Sequence, residues 1–268
     1  MGLDRMFNAF IDGSDGKFRI NYNLFSKGIA EFLPADGWPG GRLIWHNATM
    51  SDLGWELVIV AAWLAGMRLT HDLLGGAVRR GWLSAFAARK TFHVALGIWV
   101  IPLVHGLTRA WLFLPVLALI LAGNAGANWR RHRAALRLPR GVYYLAVAVV
   151  PLLALGWAWG SGRRPELVLA VLAMSGGDAA AAIAGRRLDG PRLPWTGKSL
   201  AGAAVNALTI LAIVMIGGHC GYGFNLSALL PAAGTAALAG AAVEAALPGW
   251  LDNPAMLVTV LLVLAAML

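Results

Sequence analysis

The chain has 268 residues, of which 59% are hydrophobic and only 13% are charged. A soluble domain carries roughly 25% charged residues, so this composition excludes an ordinary water-soluble globular domain and favours a membrane protein. The formal net charge of +9 would suit nucleic-acid binding, but the positions of the charges indicate membrane topology and no nucleic-acid partner.

Residues 1–53 differ in composition from the rest of the chain, with five basic and six acidic residues and several aromatic ones. We predict a non-membrane or interfacial segment here, followed by a transmembrane catalytic domain over residues 54–268. The stretch "NLFSKGIAEFL" is typical of a short helix lying on a membrane surface. The single cysteine, Cys220, excludes an intramolecular disulfide.

Eight apolar segments follow, and we predict that each forms a membrane-spanning helix. The runs are continuous rather than alternating, which favours helices over strands, and most approach the roughly 20 residues that cross a bilayer. The predicted fold is therefore an all-α, multi-pass helical bundle. The second and eighth segments are short and would be re-entrant or strongly tilted. The predicted spans are about 54–74, 92–107, 110–128, 142–160, 166–185, 199–217, 227–247 and 253–268.

Basic residues are concentrated in alternate loops between these segments. The loops 75–91, 129–141 and 186–198 contain four, five and four basic residues, and the loops between them contain few. This alternation is the positive-inside pattern, and it predicts that the three basic loops face the cytoplasm.

Asp178 lies in the middle of the fifth segment, directly after Gly176 and Gly177. An ionised carboxylate is costly inside a membrane, so it usually faces the protein interior and serves function. Gly177, Ala181 and Gly185 follow a small-xxx-small pattern, which lets a second helix pack closely. We therefore predict that Asp178 is a buried functional residue.

The basic loop after this segment ends in Gly197-Lys198-Ser199, where the sixth segment begins. Ser199 is a candidate N-cap, and the free N–H groups of a helix N-terminus bind phosphate. The stretch is not a Walker P-loop, because Arg192 stands where that motif requires glycine. We predict a phosphate-binding loop with only local resemblance to a P-loop.

A second candidate cluster lies in "ARKTFHVALG" at the start of the second segment. Arg89, Lys90 and His93 are spaced to share one helix face, and two cations beside a histidine would suit a polyphosphate. Alternatively, the two cations only extend to the membrane surface and His93 only packs. A carboxylate near such cations predicts a Mg²⁺–nucleotide site, because Mg²⁺ is typically held by one or two carboxylates and the substrate phosphates.

Four motifs together resemble those of the CTP-dependent lipid-alcohol kinases, which include dolichol, phytol and farnesol kinases and the yeast-type diacylglycerol kinase. They are "RKTFH" (89–93), "GDAAAAIAG" (177–185), "GKSLAG" (197–202) and "EAALPGWLDN" (244–253), and they occur in the same order. The resemblance covers roughly residues 55–268. It implies a multi-pass enzyme that uses CTP and Mg²⁺ to phosphorylate the hydroxyl of a membrane lipid alcohol at the cytoplasmic face.

The resemblance also implies roles for individual residues. Asp178, Lys198 and His93 would be catalytic, and Asp178, Asp252 and Glu244 would hold the metal, with Asn253 beside them. The phosphates of CTP would contact the following residues: Arg89, Lys90, Gly177, Gly185, Gly197, Ser199 and Gly202. Many members of the family have Glu where this chain has Ala201, so one acidic ligand would be missing.

Two other functions fit parts of the pattern. A phosphatidate cytidylyltransferase-like enzyme would make a CDP-lipid, but that related family usually shows Ser-Pro-Lys-Thr where this chain has Thr-Gly-Lys-Ser. A small secondary transporter would use Asp178 and Glu244 as proton or cation carriers. For a kinase, the lipid would be an isoprenoid alcohol, such as phytol or a polyprenol, or diacylglycerol.

Overall fold

A computed structural model describes residues 52–132, 140–188 and 190–268. The predicted surface helix near the N-terminus lies outside these residues. The chain divides into two compact units, Met1–Val58 and Ile59–Leu268. The packing and the site described below lie within the second unit.

Eight helices form in the described part of the chain, which contains no strand. Each of the eight predicted segments is helical, so the all-α prediction is confirmed there. The helices are α1 (Asp52–Arg79), α2 (Ala85–Gly106), α3 (Ala110–His132), α4 (Arg140–Gly160), α5 (Arg164–Arg187), α6 (Leu200–Gly221), α7 (Leu226–Ala246) and α8 (Asp252–Met267). Helix α4 contains a π-helical turn at Leu145–Val149, and α6 ends in another at Gly217–Gly221.

Six of these helices are long and apolar enough to cross a membrane, namely α1, α2, α4, α5, α6 and α7. The other two have shorter apolar stretches, Leu112–Gly123 in α3 and Asp252–Met267 in α8. At 1.5 Å per residue, the 16 residues of α8 extend about 24 Å, which is less than the roughly 30 Å hydrocarbon core. The chain is thus a multi-pass membrane protein by its helices, with six candidate spans among the described residues. Helix α3 also has 23 residues, and the count of eight spans stays a prediction.

Helix α2 begins seven residues earlier than the sequence predicted. Ser84 is its N-cap, and the Ser84 side chain accepts a hydrogen bond from the Ala87 N–H (3.1 Å). The predicted start of this span at residue 92 is therefore too late, whereas the placement of Arg89, Lys90 and His93 on one helix is confirmed. Hydropathy placed the boundary at these charges, whereas long basic side chains are tolerated at the end of an apolar helix.

Helix α5 is the central helix of the second unit, and most of its apolar stretch is buried. It packs against α2, α4, α6 and α8, while α7 packs against α6 and α8. The core includes these buried residues: Leu103, Val104, Leu167, Leu169, Ile210, Val214, Leu229, Leu261 and Leu264. Large apolar side chains such as Leu153, Leu208 and Leu238 remain exposed on the outside, as expected where lipid is the solvent.

Small residues set the distances between α5 and its two long neighbours. Helices α2 and α5 run antiparallel, and a β-carbon added at Gly97 would overlap the Ser175 hydroxyl. Helices α5 and α6 also run antiparallel, with Gly177 against Asn206 and Gly185 against Ser199. The prediction that the small-residue pattern of α5 admits a close neighbour is confirmed, and the neighbour is α6.

The Gly97 contact generates a stability prediction. We expect Gly97→Val to lower the free energy of unfolding by about 1–3 kcal/mol, because overpacking forces neighbouring helices apart. Gly234→Val in α7 is the matched control, since open space surrounds Gly234. Thermal unfolding in detergent would measure both, and equal midpoints for the two variants would contradict the proposed close packing.

Candidate functional site

The buried Asp178 of α5 forms an ion pair with Lys90 of α2. The Lys90 Nζ donates to both carboxylate oxygens, at 2.7 Å to Oδ1 and 2.6 Å to Oδ2. The His93 Nε2 lies 3.5 Å from Asp178 Oδ2. Both partners of the ion pair are largely buried, with side-chain exposures of 13% and 12%. The structure thus brings together three of the residues that the sequence singled out.

The register of α2 on α5 explains this pairing. Lys90 and His93 are one turn apart on α2, and Gly97 follows His93 by four residues. Because Gly97 lies against Ser175 and the helices are antiparallel, the preceding turns of α2 must lie beside the turn of α5 that carries Asp178. Close packing at a glycine therefore places a lysine and a histidine at a carboxylate.

Lys198 holds a second pair of acids at the same end of the bundle. Its Nζ lies 2.9 Å from Glu244 Oε1 at the end of α7 and 2.7 Å from Asp252 Oδ2 at the start of α8. The Lys198 Nζ also donates to the Glu244 backbone carbonyl. Three acceptors match the three donors of an ammonium group, so Lys198 connects the α5–α6 loop to both α7 and α8.

The charge state of Lys198 follows from these contacts. Burial lowers the pKa of Lys198, but the carboxylates of Asp252 and Glu244 outweigh this effect, and the pKa is raised overall. Because the pKa of Lys198 is raised in the folded state, its ion pairs stabilise the fold fully below the ordinary lysine pKa of 10.5. This stabilisation is lost only as the pH rises through the higher pKa of the folded state. Lys198 is therefore an ammonium group at any physiological pH.

The two ion-pair clusters interact electrostatically. The carboxylates of Asp178 and Asp252 influence each other, and both act on His93. Three carboxylates face two ammonium groups across the clusters, which leaves one negative charge in excess when His93 is neutral. The Asp178 and Lys198 clusters therefore form one charged region, which we call the ion-pair site: Lys90, His93, Asp178, Lys198, Glu244 and Asp252.

The loop before α6 positions Lys198 through its own hydrogen bonds. Ser199 caps α6 by accepting from the Gly202 N–H (3.0 Å), as predicted. The Leu200 N–H donates to the Pro191 carbonyl (3.0 Å), and Gly197 has a positive φ of 71°. Because these amides are used within the loop, the start of α6 has fewer free N–H groups for a phosphate than the sequence suggested.

Other predicted residues lie beside the ion-pair site rather than in it. Arg89 is exposed, with its guanidinium 5.8 Å from the centre of the Phe86 ring, so it does not accompany Lys90 to Asp178. The backbone N–H of Asn253 donates to Asp252 Oδ1 (2.7 Å), and this bond orients the carboxylate. Gly177 and Gly185 are packing positions for Asn206 and Ser199.

Two polar residues near the site were missed by sequence reasoning. Thr196 donates to the Ala245 carbonyl (3.0 Å), next to the Glu244 carbonyl that Lys198 binds. Asn206 is fully buried, and its Nδ2 lies 3.5 Å from the Met256 sulfur. A single amide inside the apolar run of α6 was a signal that could have marked Asn206. Nothing in the sequence marks Thr196, because its role depends on where α7 ends.

A metal held by protein ligands alone is not supported in the described part of the chain, where no three His, Cys, Asp or Glu side chains are grouped to bind one. Magnesium completed by phosphate oxygens needs only one or two carboxylates. Asp178 and Asp252 provide hard carboxylate oxygen donors, which pair with Lys90 and Lys198 in this structure. The donor set therefore fits Mg²⁺ that arrives with a polyphosphate.

Comparison of this chain with protein-family models, curated proteins and solved structures gives no match.

The substitution Lys198→Met tests whether Lys198 connects the α5–α6 loop to α7 and α8. We expect a loss of about 3–5 kcal/mol in the free energy of unfolding, because the substitution leaves two largely buried carboxylates without their cation. Arg187→Gln at the end of α5 is the control, and its exposed position predicts a change within about 0.5 kcal/mol. Unfolding in detergent would measure both, and a Lys198→Met variant as stable as the control would be evidence against this connection.

Proposed function

We propose that this protein is a CTP-dependent kinase that phosphorylates the hydroxyl group of a membrane lipid alcohol. The observation that supports this best is the buried Asp178 carboxylate, which Lys90 and His93 from another helix approach near one end of spanning-length helices. The order of the four motifs, which resembles that of the CTP-dependent lipid-alcohol kinases, supports the same activity.

The charges of the ion-pair site suit a metal–polyphosphate complex. Without a ligand, Lys90 pairs with Asp178, and Lys198 is shared by Glu244 and Asp252, so one negative charge is in excess. In our proposal, the Lys90 ammonium moves from Asp178 to the phosphates of CTP, and the Asp178 carboxylate becomes available to hold Mg²⁺. Asp252, oriented by Lys198, would be the second ligand. When bound, Mg²⁺ would offset the negative charge of the phosphates. Lys198 already has three acceptors, so we assign it to holding Asp252 and Glu244 in place.

The proposed reaction transfers the γ-phosphoryl group of CTP. The lipid hydroxyl oxygen forms a bond to the γ-phosphorus, the bond from that phosphorus to the bridging oxygen breaks, and CDP leaves. His93 Nε2 accepts the hydroxyl proton, since a histidine within reach of the reacting hydroxyl is a suitable general base. Lys90 stabilises the charge of the transferred group.

The membrane setting supports a lipid acceptor. Asp178 is nine residues before the end of α5, which places it about 13 Å along the helix from that end. A hydroxyl at the polar end of an isoprenoid alcohol or diacylglycerol would reach this depth while its tail stays among the apolar helices. The positive-inside pattern supports placing this end of the bundle at the cytoplasmic face.

Asp178→Asn tests the proposal directly. We expect it to abolish lipid phosphorylation, because an amide is a poor Mg²⁺ ligand and does not neutralise Lys90. The assay uses purified protein in lipid vesicles with Mg²⁺, a panel of isoprenoid alcohols and diacylglycerol, and CTP labelled at the γ-phosphate. Arg187→Gln, an exposed position two residues beyond the small-residue pattern, is the control and should keep activity.

Parallel reactions with CTP labelled in cytosine distinguish the related chemistry. A kinase transfers only the γ-label to the lipid, whereas a CDP-lipid synthase transfers the cytosine label. Full activity of Asp178→Asn, at normal protein abundance in membranes, would reject the proposed role of this carboxylate.

A second candidate function, a small secondary transporter, is favoured by a buried acid near the other end of α5. Glu166 is buried and accepts from Arg163 (2.8 Å), and the nearby Tyr222 hydroxyl contacts His105 (2.9 Å). Burial and the Glu166 carboxylate raise the pKa of Tyr222 to about 12, so this hydroxyl remains protonated. Proton-coupled solute uptake into vesicles, with no phosphorylated lipid, would favour transport over the kinase.

A further inference from the structure

One cation beyond the ion-pair site is held against an aromatic ring and has no acidic partner among the described residues. The Arg186 guanidinium carbon lies 3.4 Å from the centre of the Phe86 ring, which is a cation–π contact. Phe86, Lys90 and His93 follow the i, i+4, i+7 spacing of one face of α2. The Phe86–Arg186 contact therefore lies beyond the Lys90–Asp178 pair, toward the helix ends.

The hydrogen-bond donors of Arg186 are available for a ligand. Arg186 is exposed and forms no ion pair or hydrogen bond within the described ranges. Arg164, near the other end of α5, shows the contrast: it lies over Trp159 at 4.0 Å but donates to the carbonyls of Val104 and Leu107. A ring that fixes a guanidinium while leaving its N–H groups unused prepares it to bind an anion.

A second arginine approaches the same ring. The Arg89 guanidinium carbon lies 5.8 Å from the centre of the Phe86 ring, and Arg89 is also exposed. The two lysines of the ion-pair site are neutralised by carboxylates, whereas these two arginines have no acidic partner in the described residues. The inner part of this region is therefore acidic overall, and the part nearer the helix ends is basic.

We infer that Phe86, Arg89 and Arg186 form an outer phosphate-binding subsite. This inference rests on the proposed function and adds to it the place where the donor is held. The γ-phosphate of CTP would lie at Lys90 and Asp178, while the phosphates nearer the nucleoside lie at the two arginines. Arginine suits this task because its planar fork can bind two phosphate oxygens at once.

The phosphate of an anionic lipid headgroup has the same chemistry as the phosphates of a nucleotide. A single phosphodiester would need only the outer subsite, whereas a polyphosphate would extend inward to Lys90. The soluble and the lipid sources can therefore be separated by measuring binding in membranes of different charge.

A binding assay that needs no phosphoryl transfer tests the subsite. The full chain is placed in nanodiscs of phosphatidylcholine, and the affinities for Mg²⁺–CTP and for inorganic tripolyphosphate are measured by calorimetry. We expect Arg186→Ala to weaken both about tenfold or more, because bonds to charged groups are lost. Phe86→Leu should weaken both about threefold through loss of the cation–π contact. The control Arg187→Ala should change them by no more than about twofold.

Equal affinities of wild type and Arg186→Ala, or an equal loss in Arg187→Ala, would overturn the inference. A second series adds phosphatidylglycerol to the nanodiscs. Binding of this lipid that depends on Arg186, with unchanged tripolyphosphate affinity, would overturn the nucleotide assignment. Weakened binding by Arg186→Ala in a protein without kinase activity would reject only the proposed function. An active kinase whose KM for CTP is the same in Arg186→Ala would reject only the subsite.

Discussion

A carboxylate inside an apolar helix bundle has to be neutralised by a nearby cation. In this protein, the packing of the helices around α5 depends on the cation that neutralises Asp178. Its partner Lys90 comes from a different helix, so the ion pair forms only when α2 and α5 pack in one register. Coulomb attraction is strong where water is scarce, but burying the charges is costly as well. Close packing at Gly97 provides the geometry in which attraction can offset that cost.

The same requirement explains why small residues line α5. Gly177 and Gly185 allow α6 to approach, and α6 begins with the loop that carries Lys198. Lys198 in turn compensates Glu244 and Asp252. Each charged group is thus placed by a close helix contact on another part of the chain, and the ion-pair site results from backbone packing rather than from one continuous motif.

The sequence was sufficient to predict the helices, because a long apolar run has few alternatives to a helix in lipid. It was also sufficient to single out Asp178, since a lone carboxylate between glycines stands out in an apolar segment. It did not reveal that Lys198 binds Glu244 and Asp252, because partners 46 and 54 residues away depend on tertiary packing. The start of α2 was misplaced for a local reason, because this helix begins after the Ser84 cap and not after the charged residues Arg89 and Lys90.

The π-helical turn at the end of α6 has a structural consequence of its own. A π-turn inserts one extra residue into the helical repeat, and such insertions often mark functional positions. Here the wider turn, Gly217–Gly221, comes directly before Tyr222, whose hydroxyl contacts His105 of α2. Helices α2 and α6, which flank α5, are thereby tied together at the end of the bundle opposite the ion-pair site. Any splaying of α2 away from α5 to admit a long-tailed amphiphile would therefore pivot about this phenol–imidazole contact.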